Sequence, residues 1–410
     1  LQKYKALRII NYDSPALMEQ EYQRRINDYC TYKTGISINP LQRGLRLSKS
    51  YEIFVVNNNE LDMLQEKIEE NTSKINSILS KLPVAAQERY FLKVLLDEIM
   101  STNEIEGVLS TKREIEDAIS TVTLKSHEHA RFKGIANSYH SLFYKPFSPI
   151  KNVSDIRKIY DEMLAEEISE SNMPDGEMFR TKEVYIHNNS LEILHRGNPD
   201  EASIVKGLQE FIEILNSEDY PYLIKIMVAH YYFEYIHPFY DGNGRIGRYI
   251  TCKYMAAKLD SLTAISFSHM VNSFKKKYYE AFTETSEPNN RGEGTMLVFQ
   301  MLKIVHQGQL KLMEELNGSI ELLEKVNSLM SRMDFDSALE KEVLHMLCQS
   351  WVFRSTTIDI EIQKMLNITR FKFGKAMDGL INKGYAEKTK SRPSIHRISR
   401  EFEKEIVDSK

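Results

Sequence analysis

A chain of 410 residues, 42% hydrophobic and 27% charged, is long enough for about two or three domains with ample cores. Its formal charge of −4 is too small to make a nucleic acid or a membrane the partner of the whole chain. Three cysteines, Cys30, Cys252 and Cys348, lie far apart without C-x-x-C spacing, so no disulfide framework or zinc site is expected and a reducing cytoplasm fits. No run reaches the roughly 18 uncharged apolar residues of a membrane span; even residues 222–236 hold Lys225 and Glu234, and no membrane partner is expected. No signal-peptide pattern precedes Tyr4, and a start on Leu1 rather than Met leads us to expect a few residues upstream.

In chain order, the first expected helix runs from Ser14 to Tyr29, capped by Asp13 or Ser14, followed by a polar Gly/Pro/Asn stretch to Ser48. Arg24, Arg25, Lys33, Arg43, Arg46 and Lys49 make this region basic, most simply as a solvated face. From Glu60 to Leu82, Leu61, Leu64, Ile68, Ile75, Ile78 and Leu79 recur on one side of a helix that must pack against a partner. A second amphipathic helix, Phe91 to Met100, runs into Ser101-Thr102-Asn103-Glu104-Ile105-Glu106-Gly107. Thr102 and Glu106 fall one turn apart on a shared face, and Gly107 stands where a helix C-cap belongs. Residues 108–150 read as helical, with His127-Glu128-His129 facing solvent and a Pro-bearing loop from Phe143 to Pro149; Ser154 would cap the next helix, Val153 to Glu167.

The period then changes. Pro174-Asp175-Gly176 signals a turn, and Val184-Tyr185-Ile186 alternates as a strand does. A short extended piece in a helical protein leaves an edge that can accept another chain by β-augmentation. Ala202 to Asn216 returns to amphipathic helix, and Pro221 opens an almost unbroken apolar run, Tyr222 to Ile236, best read as a helix buried on most sides. His230 on that helix reads as a core histidine.

Directly after it comes His237-Pro-Phe-Tyr-Asp-Gly-Asn-Gly-Arg-Ile-Gly-Arg248. Gly242, Asn243 and Gly244 can adopt positive φ and bring backbone N–H groups up to an anion, with the following helix adding its N-terminal dipole. Arg245 and Arg248, three apart, project from one side of that helix and can grip phosphate oxygens with planar forks. Asp241 is the only carboxylate in the stretch and suits a hard magnesium ion. His237 can take a proton from an attacking hydroxyl. Phe239 reads as the loop's anchor in the core. The glycines also satisfy G-x-G-x-x-G, with Asp260 near the ribose-acid offset, but they join two helices rather than a strand and a helix. No V-A-I-K, H-R-D or D-F-G companion makes them a kinase loop.

The stretch His237 to Arg248 resembles the Fic signature H-P-F-x-D-G-N-G-R-x-x-R with every specified position filled. The resemblance implies an all-α core that transfers AMP from ATP, with Mg2+, to a Ser, Thr or Tyr hydroxyl of a target protein. It makes His237 the general base, Asp241 the magnesium ligand, Gly242, Asn243 and Gly244 the anion hole, and Arg245 and Arg248 the holders of the outer phosphates. The related Doc kinases depart from this pattern inside the glycine loop, which is intact here. Thr102, Glu106 and Gly107 fit the inhibitory motif [S/T]-x-x-x-E-[G/N] of Fic proteins with their own inhibitory helix, which implies that Glu106 pairs with Arg248 and excludes the γ-phosphate. Gly176 to Ile186 is similar to the family's flap, which implies that Val184, Tyr185 and Ile186 dock the target backbone, although the paired proline usual downstream is reduced to Asn198-Pro199. Tyr278 and Tyr279, in Phe274 to Phe282, resemble the adenine-side helix.

From Gly308 to about Met333 a long helix is expected as a strut or a homodimer seam. Helices over Leu339–Cys348, Ile358–Leu366 and from Thr369 to Asn382, then strand-like pieces at Tyr385–Lys388 and Ile395–Ile398, resemble a winged helix. Nine basic residues, Arg370, Lys372, Lys375, Lys383, Lys388, Lys390, Arg392, Arg397 and Arg400, face Asp378 and Glu387 there, a net +7 that suits DNA phosphates through 369–400 as well as it suits a protein contact. The expected fold is therefore mainly α: an N-terminal helical region to residue 110, an all-helical core with a short β-hairpin flap over 111–308, a linker helix over 309–333 and a small α+β winged helix over 334–410. The expected function is a self-inhibited protein adenylyltransferase. The alternatives are an enzyme that also, or instead, removes AMP and a nucleotide-sensing winged-helix DNA-binding regulator.

Overall fold

Pro15 in the first turn, with the Ser14 side chain accepting from Leu17 N, separates α1 (Leu7–Asp13) from α2 (Pro15–Ile26) in the computed structural model, which describes residues 4–187, 192–355 and 358–408. The polar stretch that follows is not the loop its composition suggested. It forms β1 (Thr31–Ile38), β2 (Leu41–Gln42), β3 (Leu45–Arg46) and β4 (Tyr51–Val56), paired antiparallel as β1–β4 and β2–β3. Arg43 and Gly44 both take positive φ between β2 and β3, the geometry of a tight two-residue hairpin turn. Nor is the basic face wholly solvated. Arg25 is buried, and its Nη1 lies 2.8 Å from the buried Glu293, to which Tyr4 also donates.

Five helices follow: α3 (Asn59–Leu79), α4 (Val84–Ile105), α5 (Lys112–Thr123), α6 (Lys133–Tyr144) and α7 (Val153–Leu164). The exposed His127 and His129 lie in the α5–α6 connection rather than on a helix. Asp155, not Ser154, secures the start of α7 by accepting from Lys151 N (2.8 Å) and Asn152 N (2.9 Å). A small antiparallel hairpin, β5 (Tyr185–His187) with β6 (Ile193–Arg196), precedes α8 (Glu201–Asn216), α9 (Tyr222–Ile236) and α10 (Asn243–Ala256). α9 is apolar all round because α8, α10 and a later helix enclose it.

After the short α11 (Ser261–Ile265) and α12 (Phe267–Ser273) come α13 (Lys275–Ser286) and α14 (Thr295–Met330). α14 is one helix of 36 residues, so the start expected at Gly308 and the boundary at 308/309 both fall inside it. Leu61, Leu64, Ile68 and Ile75 of α3 bury their stripe in a long contact between α3 and α14. The chain ends with α15 (Ala338–Val352), α16 (Asp359–Met365), α17 (Arg370–Asn382), the antiparallel β7 (Ala386–Ser391) and β8 (Ser394–Ile398), and α18 (Arg400–Asp408), a last helix not foreseen from the sequence. No helix among the described residues is long and apolar enough to cross a membrane.

The Arg25–Glu293 pair ties α2 to the turn before α14, and removing one buried partner strands the other charge. Arg25→Ala should cost about 3 kcal/mol in denaturant unfolding at neutral pH; a loss no larger than that of an exposed Arg24→Ala control would contradict this.

Candidate active site

α9 stops because His237 takes a left-handed conformation (φ 54°), its N–H still bonded to Phe233 O at 3.0 Å, and Pro238 cannot continue the helix. The loop to α10 is pinned by the Asn243 side chain, whose Oδ1 accepts from Phe239 N and whose Nδ2 donates to Phe239 O, both at 2.8 Å. Phe239 in turn stacks on Tyr160 of α7 with ring centroids 3.9 Å apart, the core anchor its position suggested. Gly242 has φ 88°, and a Cβ there would overlap Leu164 Cδ1, so neither backbone nor space admits a larger residue. The loop therefore delivers a fixed set of N–H groups at the N-terminus of α10, where the helix dipole favours negative charge.

Both arginines of α10 are buried and both face glutamates. Arg248 donates from Nη2 to Glu106 Oε1 at 2.8 Å, from Nε to Thr102 Oγ1 at 3.0 Å and from Nη2 to Thr102 O at 3.2 Å. Thr102 is fully buried in α4, and Glu106 caps that helix just before Gly107 turns the chain at φ 72°. A Cβ at Gly244 would overlap Glu106 Oε1, so the carboxylate lies directly against the first turn of α10. Burial raises the Glu106 carboxyl, but the Arg248 charge and hydrogen bond overcome it and hold the group below the ordinary carboxylate value. Arg245 lies 3.2 Å from Glu167 Oε2, just past α7, and 3.5 Å from Asp241 Oδ1. Burial pushes Glu167 up to about 7 against the pull of Arg245. The Asp241 side chain is 41% exposed at the mouth of the site, open to further ligands.

His237 Nδ1 faces Glu234 O at 3.3 Å, which leaves Nε2 free to accept a proton. Burial, with the Arg180 charge adding to it, pushes the imidazole down to about 4, so it is neutral near pH 7. Arg180 is itself buried, and its guanidinium donates to His237 O (2.8 Å), Ile236 O (3.3 Å) and Lys182 O (2.5 Å). It thereby staples the segment leading into β5 onto the His237 loop. Tyr240 of that loop adds a second tie through Asp175 (2.9 Å), and Val184 O accepts from Gly197 N at 3.0 Å. Tyr185 and Ile186 are 42% and 39% exposed. The opposite strand, β6, is held from behind: Arg46 Nη2 donates to Arg196 O at 2.6 Å, and Arg196 Nε donates to Gly44 O at 2.7 Å.

The structure thus gathers His237, Asp241, Gly242 to Gly244, Arg245, Arg248, Thr102 and Glu106 into one site. The two tyrosines part company. Tyr278 is a core residue bonded through its hydroxyl to His230 Nε2 at 2.8 Å, while Tyr279 is 46% exposed. His230, also held by Thr251 Oγ1 at 3.0 Å, is the core histidine it was read as. Sequence reasoning assigned no role to Arg180, Glu167 or Glu234. Of these only Glu234 carried a signal, as the one acid in the apolar run of α9.

Residues 150–255, from just before α7 to the end of α10, match the family model described as Fic: Fic/DOC family. That segment is a Fic/DOC family domain. Among solved structures, the chain is similar to a Fic family protein from Desulfovibrio desulfuricans G20, at 14% identity and a TM-score of 0.49, covering 88% of this chain and 99% of that one. It is also similar to a Fic domain containing signaling protein from Bacteroides thetaiotaomicron VPI-5482 (14% identity, TM-score 0.41, 63% of this chain and 95% of that one). A third is Fic-1 (aa134 - 508) from C. elegans, at 17% identity and a TM-score of 0.40, covering 63% of this chain and 75% of that one.

The Glu106 carboxyl is depressed in the folded protein, so the stability it contributes is present above its unfolded value and fades as the pH falls through its folded one. Glu106→Gln should lower stability by about 1–3 kcal/mol at pH 7, with the gap to wild type closing below the ordinary carboxylate range. A gap independent of pH in denaturant melts would count against the ion pair.

Proposed function

We propose that this chain is a self-inhibited protein adenylyltransferase. The observation that carries the reading is the Glu106–Arg248 pair at 2.8 Å, set against the glycine cradle of α10 on the same site as His237. The residues fit the groups the reaction needs. The cradle has no room for a side chain at Gly244, and Arg245 Nε is buried without a hydrogen-bond partner among the described residues. Asp241 would hold Mg2+, which supplies charge neutralisation to phosphate oxygens when bound.

In the reaction, the open edge of β5, with Val184, Tyr185 and Ile186, lines up the target's backbone and brings a Ser, Thr or Tyr hydroxyl to His237. Nε2 accepts the hydroxyl proton while the hydroxyl oxygen bonds to the α-phosphorus of ATP. The bond from that phosphorus to the bridging oxygen breaks, and pyrophosphate leaves. The N–H groups of Gly242, Asn243 and Gly244, with Arg245 and Arg248, stabilise the charge that develops on the phosphates. Tyr279, the more exposed of the pair on α13, is the better candidate for the adenine side. Glu106 restrains the enzyme by occupying Arg248 and the mouth of the cradle; with Glu106 instead orienting a water, the same site would remove AMP.

The test is label transfer onto protein from ATP labelled at the α- or the γ-phosphate. Glu106→Gly should incorporate α-label at least about tenfold faster than wild type, an effect of about 1.4 kcal/mol on the barrier, and Glu106→Gly/His237→Ala should incorporate none. Incorporation of γ-label would make the chain a kinase. No label in any form would favour a nucleotide-sensing regulator.

A DNA partner for 369–400 is favoured by one observation: Arg370, Lys372, Lys375, Lys388 and Arg392 are exposed on α17 and the β7–β8 hairpin. The whole chain should then bind duplex DNA at low salt and lose about 10³-fold or more in affinity between 50 and 200 mM salt. No binding at low salt would leave this face to a protein partner, such as a second copy of the chain.

A further inference from the structure

Glu234 is a titratable group beside His237 that the proposed chemistry leaves unused. Its side chain projects from the last turn of α9 and is only 14% exposed. Oε2 lies 3.9 Å from His237 Nδ1, and the backbone carbonyl of the same residue faces that nitrogen at 3.3 Å. Oε1 is buried and has no hydrogen-bond partner among the described residues. The carboxylate has space only because residue 247 is glycine, where a Cβ would overlap Oε1. A carboxylate oxygen buried with no partner costs stability, and Gln or Leu would fill the same volume without a charge. The position calls for a reason beyond packing.

We propose that Glu234 is the positioning residue of the base: its carboxylate fixes the His237 ring from the Nδ1 side and stabilises the imidazolium that forms when Nε2 takes the target's proton. The inference rests on the adenylyl-transfer reading and deepens it. No proton passes to Glu234: the hydroxyl proton moves to Nε2, Nδ1 keeps its own, and the new positive charge appears within about 4 Å of the carboxylate, where opposite charges in a partly buried site interact strongly. The Glu234 backbone carbonyl alone would fix the tautomer. The carboxylate adds charge, which a carbonyl does not.

The charged and titratable surroundings are Glu106 from α4, Arg248 from α10 and Tyr278 from α13 around Glu234, and Arg180, His195 and Glu106 around His237. Burial first, and then the like charge of Glu106, push the Glu234 carboxyl up to about 8, with Arg248 opposing. Glu106→Gly takes that like charge away and leaves Arg248 facing Glu234, and both changes favour the ionised carboxylate that answers the new imidazolium.

Two readouts in the Glu106→Gly background test this. Glu106→Gly/Glu234→Gln should lose about 10–100-fold in kcat for α-label transfer with KM for ATP within about twofold, and Glu106→Gly/Glu234→Asp should recover part of the loss. The 15N titration of the His237 imidazole should move about one pH unit lower in the Gln variant, because a nearby negative charge favours protonation. Unchanged kcat, or a fall in kcat with an unmoved His237 titration, would overturn the assignment and leave Glu234 a packing residue. Should Glu106→Gly transfer no label at all, the adenylyl-transfer reading fails instead, and the imidazole titration still decides whether Glu234 acts on His237.

Discussion

A buried guanidinium must be answered by acceptors, and for Arg248 they include the Glu106 carboxylate. Both arginines of α10 lie nearly without solvent in a helix packed against α9 and α4. Without a ligand, an unpaired charge there would cost several kcal/mol. Glu106 supplies the answering charge for Arg248, and Arg245 lies between Glu167 and Asp241. On the proposed reading, the contacts that neutralise Arg248 in the folded protein are the contacts a nucleotide must displace.

The helix that carries Glu106 is held along its whole length. Near its start, Arg89 donates to Ser350 of α15 and to the Met365 sulfur, Tyr90 packs edge-on against Phe353, and Lys93 pairs with Glu315 of α14. Near its end, Glu98 accepts from His269 N at 3.1 Å and Ser101 lies 3.2 Å from His269 Nδ1. The register that sets Glu106 against Arg248 is thus fixed by side chains from α12, α14 and the C-terminal helices. The β5–β6 hairpin is built the same way. Its outer edge is short and exposed, but Arg180 and the β2–β3 turn hold it from two sides.

How much of this could be read from the sequence divides along a physical line. The loop from His237 to Arg248 was legible because its chemistry is local: adjacent glycines, an Asn that clamps its own loop and arginines one turn apart state their geometry by spacing alone. Thr102 and Glu106 were legible as a face, but only a resemblance joined that face to Arg248, since nothing in spacing says which helices meet. Arg180 and Glu167 were invisible because their roles are set by tertiary approach, with partners 57 and 78 residues away. The N-terminal hairpins were missed for a different reason. Gly, Pro and Asn mark turns and dominate the stretch, β2 and β3 are only two residues each, and Gly35 interrupts the alternation of β1. In α14, Gly308 looked like a start, yet it is the residue that lets Met270 pack against the middle of the helix.

The central claim is that Glu106 and the phosphates of ATP compete for one place, the mouth of the α10 cradle. Backbone hydrogen exchange over Gly242 to Arg245, with and without MgATP, tests that directly. The account predicts that MgATP protects these amides in Glu106→Gly and leaves them little changed in wild type; equal protection in the two proteins would contradict it.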